Sequence, residues 1–188
     1  MIIKSFVCNP YMQNTYVVHE KERKECLIID AGMYEPDEEQ AVADYIRQEQ
    51  LEVKAVLITH AHPDHICGLK WLKQQYPNAQ VVDEAYLKGL TTAEVPLLHY
   101  AGMEIHCLFT PGHKEDCVCY MIGDVLFSGD TLFRESIGRT DLGGGDWATL
   151  LQSLDELMQL PEETTVYPGH SEPTTISHEK RHNPYIRM

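Results

Sequence analysis

The sequence predicts a mixed α+β domain in which two β-sheets pack as a sandwich between helices. Three observations carry that prediction. Short β-like runs alternate with helical patterns along the whole chain. Several runs end in a Gly- or Pro-containing turn followed at once by His or Asp. With 188 residues and 43% hydrophobic content, the chain is expected to form one domain, spanning 1–188, with a substantial core.

The β-like runs fall near 2–7, 14–19, 25–30, 54–58, 79–82, 104–109, 117–122, 125–128 and 164–167. Helical periodicity falls near 37–50, 66–76, 84–90, 147–158 and 176–182. The stretch from Ala41 to Ile46 and the set Leu150, Leu151, Leu154 and Leu157 each offer an apolar stripe for packing on a sheet. Asp146, after Gly143-Gly144-Gly145, is placed to cap the helix that follows. That glycine run lacks a P-loop lysine and the spacing of a dinucleotide site.

Thr59-His60-Ala61-His62-Pro63-Asp64-His65 is the most informative stretch. It sets three imidazoles and a carboxylate directly after the apolar run Val56-Leu57-Ile58. In an extended segment His60 and His62 share a side. Pro63 suits the first turn of a helix, and Ile66, Leu69 and Leu72 recur at roughly helical spacing. A lone histidine is most simply a packed or solvated residue. Clustered His and Asp side chains are costly to bury unpaired and natural around a divalent metal.

Three later fragments repeat the design: Thr110-Pro111-Gly112-His113, Ser128-Gly129-Asp130 and Tyr167-Pro168-Gly169-His170. Each follows an apolar run, turns at a glycine and presents one potential ligand. Loops at strand ends are where a rigid sheet commonly displays chemistry. His19, His99, His106, His178 and His182 fit no ligand pattern.

The H-x-H-x-D-H run at 60–65, followed by His113, Asp130 and His170, resembles the metallo-β-lactamase-fold hydrolases over nearly the whole chain. The narrower likeness is to short glyoxalase II-like (hydroxyacylglutathione hydrolase-like) proteins. It is carried by Asn14-Thr15-Tyr16, Asp30-Ala31-Gly32, Phe127 to Phe133 continuing into Ile137-Gly138-Arg139-Thr140-Asp141, and Arg181-His182-Asn183-Pro184-Tyr185. The resemblance implies a four-layer αβ/βα sandwich and two metals. His60, His62 and His113 are expected to hold one metal, and Asp64, His65 and His170 the second. Asp130 is expected to bridge them, with Asp64 and Asp130 as the catalytic carboxylates.

Two metals about 3.5–4 Å apart can share a hydroxide, bring its pKa toward neutrality and polarise a carbonyl. Imidazole and carboxylate ligands suit zinc, iron or manganese better than calcium or magnesium, with zinc the default. The implied reaction is hydrolysis of S-2-hydroxyacylglutathione-like or other small acyl thioesters by that metal-bound hydroxide. The alternative is a persulfide dioxygenase with a single iron on His60, His113 and Asp130. A non-catalytic metal-binding protein fits a complete two-metal ligand set poorly.

Two departures from the family pattern stand out. Only 18 residues follow His170, so the C-terminal helical domain that holds glutathione in ordinary glyoxalase II is expected to be absent. Lys114-Glu115-Asp116-Cys117 also predicts a loop of altered shape and charge beside one metal.

The formal charge of −14 argues against a nucleic-acid surface. Any anionic substrate must be held by local cations, since the overall field opposes it. No apolar run approaches the roughly 20 residues of a membrane span, and Met1 to Phe6 turns polar too quickly for a signal peptide. The six cysteines form no C-x-x-C pair and are expected to be reduced, mostly buried and packed as small hydrophobes. Together these features predict a cytoplasmic protein, and the resemblance implies a small-molecule thioester substrate.

Overall fold

The computed structural model describes residues 1–90 and 96–186. Its first half runs β1 (Ile2–Cys8), β2 (Gln13–His19), β3 (Glu25–Ile29), α1 (Pro36–Gln48), β4 (Glu52–Leu57), α2 (Pro63–Ile66), α3 (Leu69–Gln75), β5 (Gln80–Val82) and α4 (Glu84–Leu90). The second half runs β6 (Leu97–Tyr100), β7 (Met103–Phe109), β8 (Val118–Ile122), β9 (Val125–Gly129), β10 (Leu132–Phe133), β11 (Ser136–Ile137), α5 (Trp147–Leu157), β12 (Thr165–Pro168), β13 (Thr174–Thr175) and α6 (Ile176–His182). One sheet has the order β1-β2-β3-β4-β5, the other β13-β12-β9-β8-β7-β6, and β10 and β11 form a separate hairpin.

Strand alternation explains the layering. Successive side chains point to opposite faces of a sheet. Val18, Leu27, Ile29 and Leu57 therefore join Ile105, Cys107, Tyr120 and Phe127 in the core between the sheets. Their neighbours Val17, Ile28 and Val56 face outward, against Val42 and Ile46 of α1 and Leu72 of α3. On the far side Cys119, Leu126 and Val166 meet Leu150, Leu154 and Leu157 of α5 and Ile176 of α6. Three cores separate four layers, in the order αβ/βα.

The helices begin where their sequences say they should. Asp146 caps α5 by accepting from the Thr149 amide at 2.7 Å, and Thr175 caps α6 through the His178 amide at 3.1 Å. Glu35 and Glu38 close a capping box on α1, which carries Pro36 in its first turn.

The structure differs from the sequence expectation in its shortest elements. β6, β10, β11 and β13 are additional. The helix expected over 66–76 is divided, because Gly68 interrupts it and becomes the N-cap residue of α3. A Cβ at Gly68 would meet the Met33 carbonyl oxygen at 2.9 Å, so the close backbone approach there admits only glycine without a shift. β4 also ends at Leu57, one residue before the expected 58, leaving Ile58 to Ala61 as a link into α2.

The strands bearing the candidate ligands end on one side of the molecule. β3 and β4 are parallel, as are β9 and β12. β7 is antiparallel to β8, which is antiparallel to β9, so β7 runs with β9. The segments after β4, β7, β9 and β12 thus open toward a common cleft.

Candidate metal centre

All seven predicted ligands meet in that cleft. They form three overlapping groups: His60, His62 and His113; His60, His65 and Asp130; Asp64, His65 and His170. Within each group the ligand atoms lie within 4.8 Å of one another.

In the first group His62 Nδ1 lies 2.9 Å from His60 Nε2 and 2.9 Å from His113 Nε2. Three nitrogens converging on one point cannot all be satisfied by one another, whereas a cation among them satisfies all three. In the second, His65 Nε2 and Asp130 Oδ1 are 3.3 Å apart, yet each is buried without a hydrogen-bond partner. A buried polar atom left unpaired costs free energy unless a ligand or ion completes it. The donor set and these orphaned atoms fit a two-metal centre. Asp130 Oδ2 lies 3.6 Å from both His113 Nε2 and His170 Nε2, between the two outer groups. Asp64 Oδ2 is 3.2 Å from His170 Nε2.

Three of the five imidazoles are aimed by a contact behind them. His65 Nδ1 donates to Asp30 Oδ2 at 2.8 Å, His113 Nδ1 to the Arg139 carbonyl at 2.7 Å, and His170 Nδ1 to the Tyr11 carbonyl at 3.0 Å. These bonds leave Nε2 of each ring free to face the cleft. Asp30 sits at φ +59°, a left-handed backbone uncommon for a non-glycine residue. From there Asp30 Oδ1 accepts from the Thr59 amide at 2.8 Å while Oδ2 takes His65. One carboxylate therefore fixes both ends of the His60–His65 segment. Asp116 holds its middle, accepting from the Ala61 amide at 3.0 Å.

Charge differs across the cleft. Burial, with His65, His113, His62 and Lys114 adding to it, pushes His60 well below the ordinary histidine range. Burial and His113 likewise lower His62. Burial opposes protonation of His65, but Asp30 and Asp130 raise it well above the usual value. For Asp130 burial disfavours the charge, and His65 beside it, with His170 and His113, outweighs burial and holds the carboxyl below the usual range. The His60 side offers neutral nitrogens, whereas the His65 side would have to give up protons to hold a metal.

Sequence reasoning singled out the clustered His and Asp side chains but not what supports them. Asp30 and Asn183 stood out only through the family likeness, Thr59 only as the start of the His60–His65 run and Asp116 only as part of an altered loop, none with a role assigned. Tyr11 and Glu179 did not stand out. Glu179 accepts from the Glu135 amide at 2.9 Å, and Asn183 donates to the Ser136 carbonyl at 3.0 Å. Together they hold the β10–β11 hairpin, whose Phe133, Ser136 and Ile137 wall the cleft. Lys180, Arg181 and His182 do not line it. No helix among the described residues is long and apolar enough to cross a membrane.

Residues 8–98 and 102–170 match the model of the Metallo-beta-lactamase superfamily. The chain is 35% identical over 203 residues to the probable metallo-hydrolase YqgX of Bacillus subtilis, covering 94% of this chain and 93% of that one. It is 34% identical over 167 residues to the hydroxyacylglutathione hydrolase of Vibrio cholerae, covering 86% of this chain but 63% of the longer relative. Among solved structures, the B3 metallo-beta-lactamase BLEG-1 superposes with TM-score 0.88 at 32% identity over 100% of both chains. TTHA1623 in a di-iron-bound form superposes with TM-score 0.79 at 32% identity, over 97% of this chain and 99% of that one.

Proposed function

The chain belongs to the metallo-beta-lactamase superfamily, and from that premise we propose that this metal-dependent hydrolase cleaves small acyl thioesters, S-2-hydroxyacylglutathione-like compounds among them. The observation that carries the reading is the set of overlapping His and Asp groups, with His65 Nε2 and Asp130 Oδ1 buried and unpaired between them. His60, His62 and His113 would hold one divalent metal and Asp64, His65 and His170 the other, with Asp130 available to both. Such a pair lowers the pKa of bound water and polarises a carbonyl. Zinc is the default, and iron is supported by the likeness to a di-iron-bound structure.

The chain's own part is placement. Asp30, the Arg139 carbonyl and the Tyr11 carbonyl fix three ring orientations, so the donors need no reorganisation as charge develops. Asp64 and Asp130 supply the negative charge that offsets two cations. A thiol leaving group has a pKa near about 8.5 and departs as thiolate without a strong general acid. That suits a cleft whose carboxylates are all committed as ligands. The likeness to hydroxyacylglutathione hydrolase over most of this chain supports the substrate class. Six free cysteines fit a reducing, cytoplasmic setting.

The test is elemental analysis of purified protein followed by paired assays, thiol release from an S-2-hydroxyacyl thioester and oxygen uptake on glutathione persulfide. Two metals per chain with oxygen-independent thiol release are expected. One iron with oxygen uptake and no thioester cleavage would instead establish the mononuclear dioxygenase, leaving Asp64, His65 and His170 without a role.

A further inference from the structure

The cleft above the metal ligands has a volume of about 590 Å³, and its non-ligand wall is largely apolar: Tyr11, Pro63, Phe133, Ile137 and Leu142. A second concavity of about 330 Å³ shares Tyr11, Pro63 and Asp64 with the first and adds Pro10, Tyr34 and Cys67. Several of these side chains face water. Tyr11 is 73% exposed, Tyr34 63% and Leu142 41%. Two apolar arms therefore diverge from the metal ligands, with Tyr11 at their junction.

The cations nearest the cleft are already engaged. Arg139, the one Arg or Lys among the lining residues, makes a two-pronged pair with Asp141, Nε to Oδ1 at 2.6 Å and Nη2 to Oδ2 at 2.7 Å. Lys114, next to His113, lies 2.8 Å from Asp116. Arg134, next to Phe133, lies 3.5 Å from Glu172. That pair takes two of the guanidinium's five N–H donors and faces water, Arg139 being 63% and Asp141 68% exposed, so an incoming carboxylate meets a cation whose charge a neighbour already matches. It must also enter a chain whose formal charge is −14.

We propose that this site selects thioesters whose two arms are both uncharged and apolar or aromatic, and that it discriminates against glutathione-like, carboxylate-bearing thiols. The inference rests on the thioesterase reading and narrows it. Water adds its oxygen to the acyl carbon and the C–S bond breaks; one of its protons goes to the sulfur and the other to solvent, giving a carboxylate, a thiol and one proton. One arm packs on Tyr11 and Tyr34, the other on Phe133, Ile137 and Leu142. Asp141 sets the discrimination by keeping Arg139 occupied.

The metal-loaded full chain is assayed on thioesters sharing one acyl group and differing in the thiol: benzyl mercaptan, N-acetylcysteamine or glutathione. The benzyl ester is expected to exceed the glutathione ester in kcat/KM by about ten-fold or more, the scale of one buried aromatic arm. Asp141→Asn frees Arg139 and is expected to raise kcat/KM for the glutathione ester by about two- to five-fold relative to the benzyl ester. Tyr11→Ala removes the junction and should shrink the benzyl preference. In parallel, non-hydrolysable benzyl and glutathione thioethers are compared by calorimetry. Cleavage with glutathione preferred overturns this inference and leaves the thioesterase reading intact. Tighter binding of the benzyl thioether with no thioester cleaved upholds the apolar selectivity and overturns the thioesterase reading. Equal binding of the two thioethers overturns the selectivity whatever the activity.

Discussion

The floor and the rim of the cleft are built by opposite rules. On the floor four of the seven candidate ligands are buried, His60 at 1% exposure, His65 at 0%, His113 at 2% and Asp130 at 8%, and several are held from behind. On the rim the side chains are large, apolar and open to water, and the charged ones are paired with immediate neighbours. The floor gains its geometry from contacts between distant parts of the chain, as when Asp30 reaches both Thr59 and His65. The rim is gathered from places as far apart as Tyr11, Tyr34 and Leu142, but its one lining Arg is paired within two residues, with Asp141. The difference teaches where changes act. Floor substitutions should strike all substrates alike, and rim substitutions should reorder them.

The largest effect expected is from metal removal. A strong chelator should abolish turnover on every substrate, and re-addition of zinc or iron should restore it, read as thiol release. Asp130→Ala comes next. It should leave a folded chain by circular dichroism while metal content and turnover fall together, by more than the roughly 10–100-fold typical of groups behind a ligand. Retention of two metals would refute the bridging role. Gly169→Ala should act on the same floor without touching a ligand. A Cβ there collides with Asp130 Oδ1 and meets His65 Cε1 at 2.7 Å, so metal content should drop although every ligand remains.

Asp30→Asn should weaken metal binding by about 10–100-fold, measured by competition with a chromogenic chelator, with similar losses for apolar and glutathione thioesters. Asn183→Ala should be milder in activity. It leaves the half-buried Ser136 carbonyl without that donor and takes from buried Glu179 one of its three, Thr174 and Glu135 remaining, lowering stability by about 1–3 kcal/mol, and should shift substrate ranking more than metal content. The smallest effect is one of pH. Arg139 holds the Asp141 carboxyl down at about 2. Its folded value is depressed, so the charged pair persists at higher pH and is lost only as pH falls through about 2. The benzyl-to-glutathione preference should therefore stay flat between about pH 5 and 8.

Much of this was legible because it is local. The 60–65 run carries its ligands within seven residues, and the turns at His113, Asp130 and His170 repeat one pattern. The long strands and helices follow from alternation and helical spacing, and the four layers from family likeness. What escaped reading was short or tertiary. β10 and β11 have two residues each, too few for any period to register. Their turn contains Glu135 at φ +55°, where a glycine would have marked it. Nothing near Asp30 in sequence says that it reaches Thr59 and His65. Glu179 reads as an ordinary helix-surface acid, yet it is fully buried and bonds Thr174, Glu135 and Asn183.

The N-terminal strand also grips the last ligand loop. Asn14 Nδ2 donates to the carbonyls of Pro168 at 3.1 Å and Ser171 at 2.8 Å. Tyr16 OH donates to the Pro168 carbonyl at 2.6 Å, and Gln13 bridges to His170. During synthesis β2 emerges early, but what it is shaped to hold emerges more than 150 residues later. Contacts this far apart in sequence are slow to close. A ribosome-bound chain stalled before His170 can pair β1 to β5 and gather the His60–His65 run, but it cannot complete the cleft. The cleft is therefore whole only once β2 has closed on the Pro168–Ser171 loop, so its assembly waits on one of the longest-range contacts described in the fold.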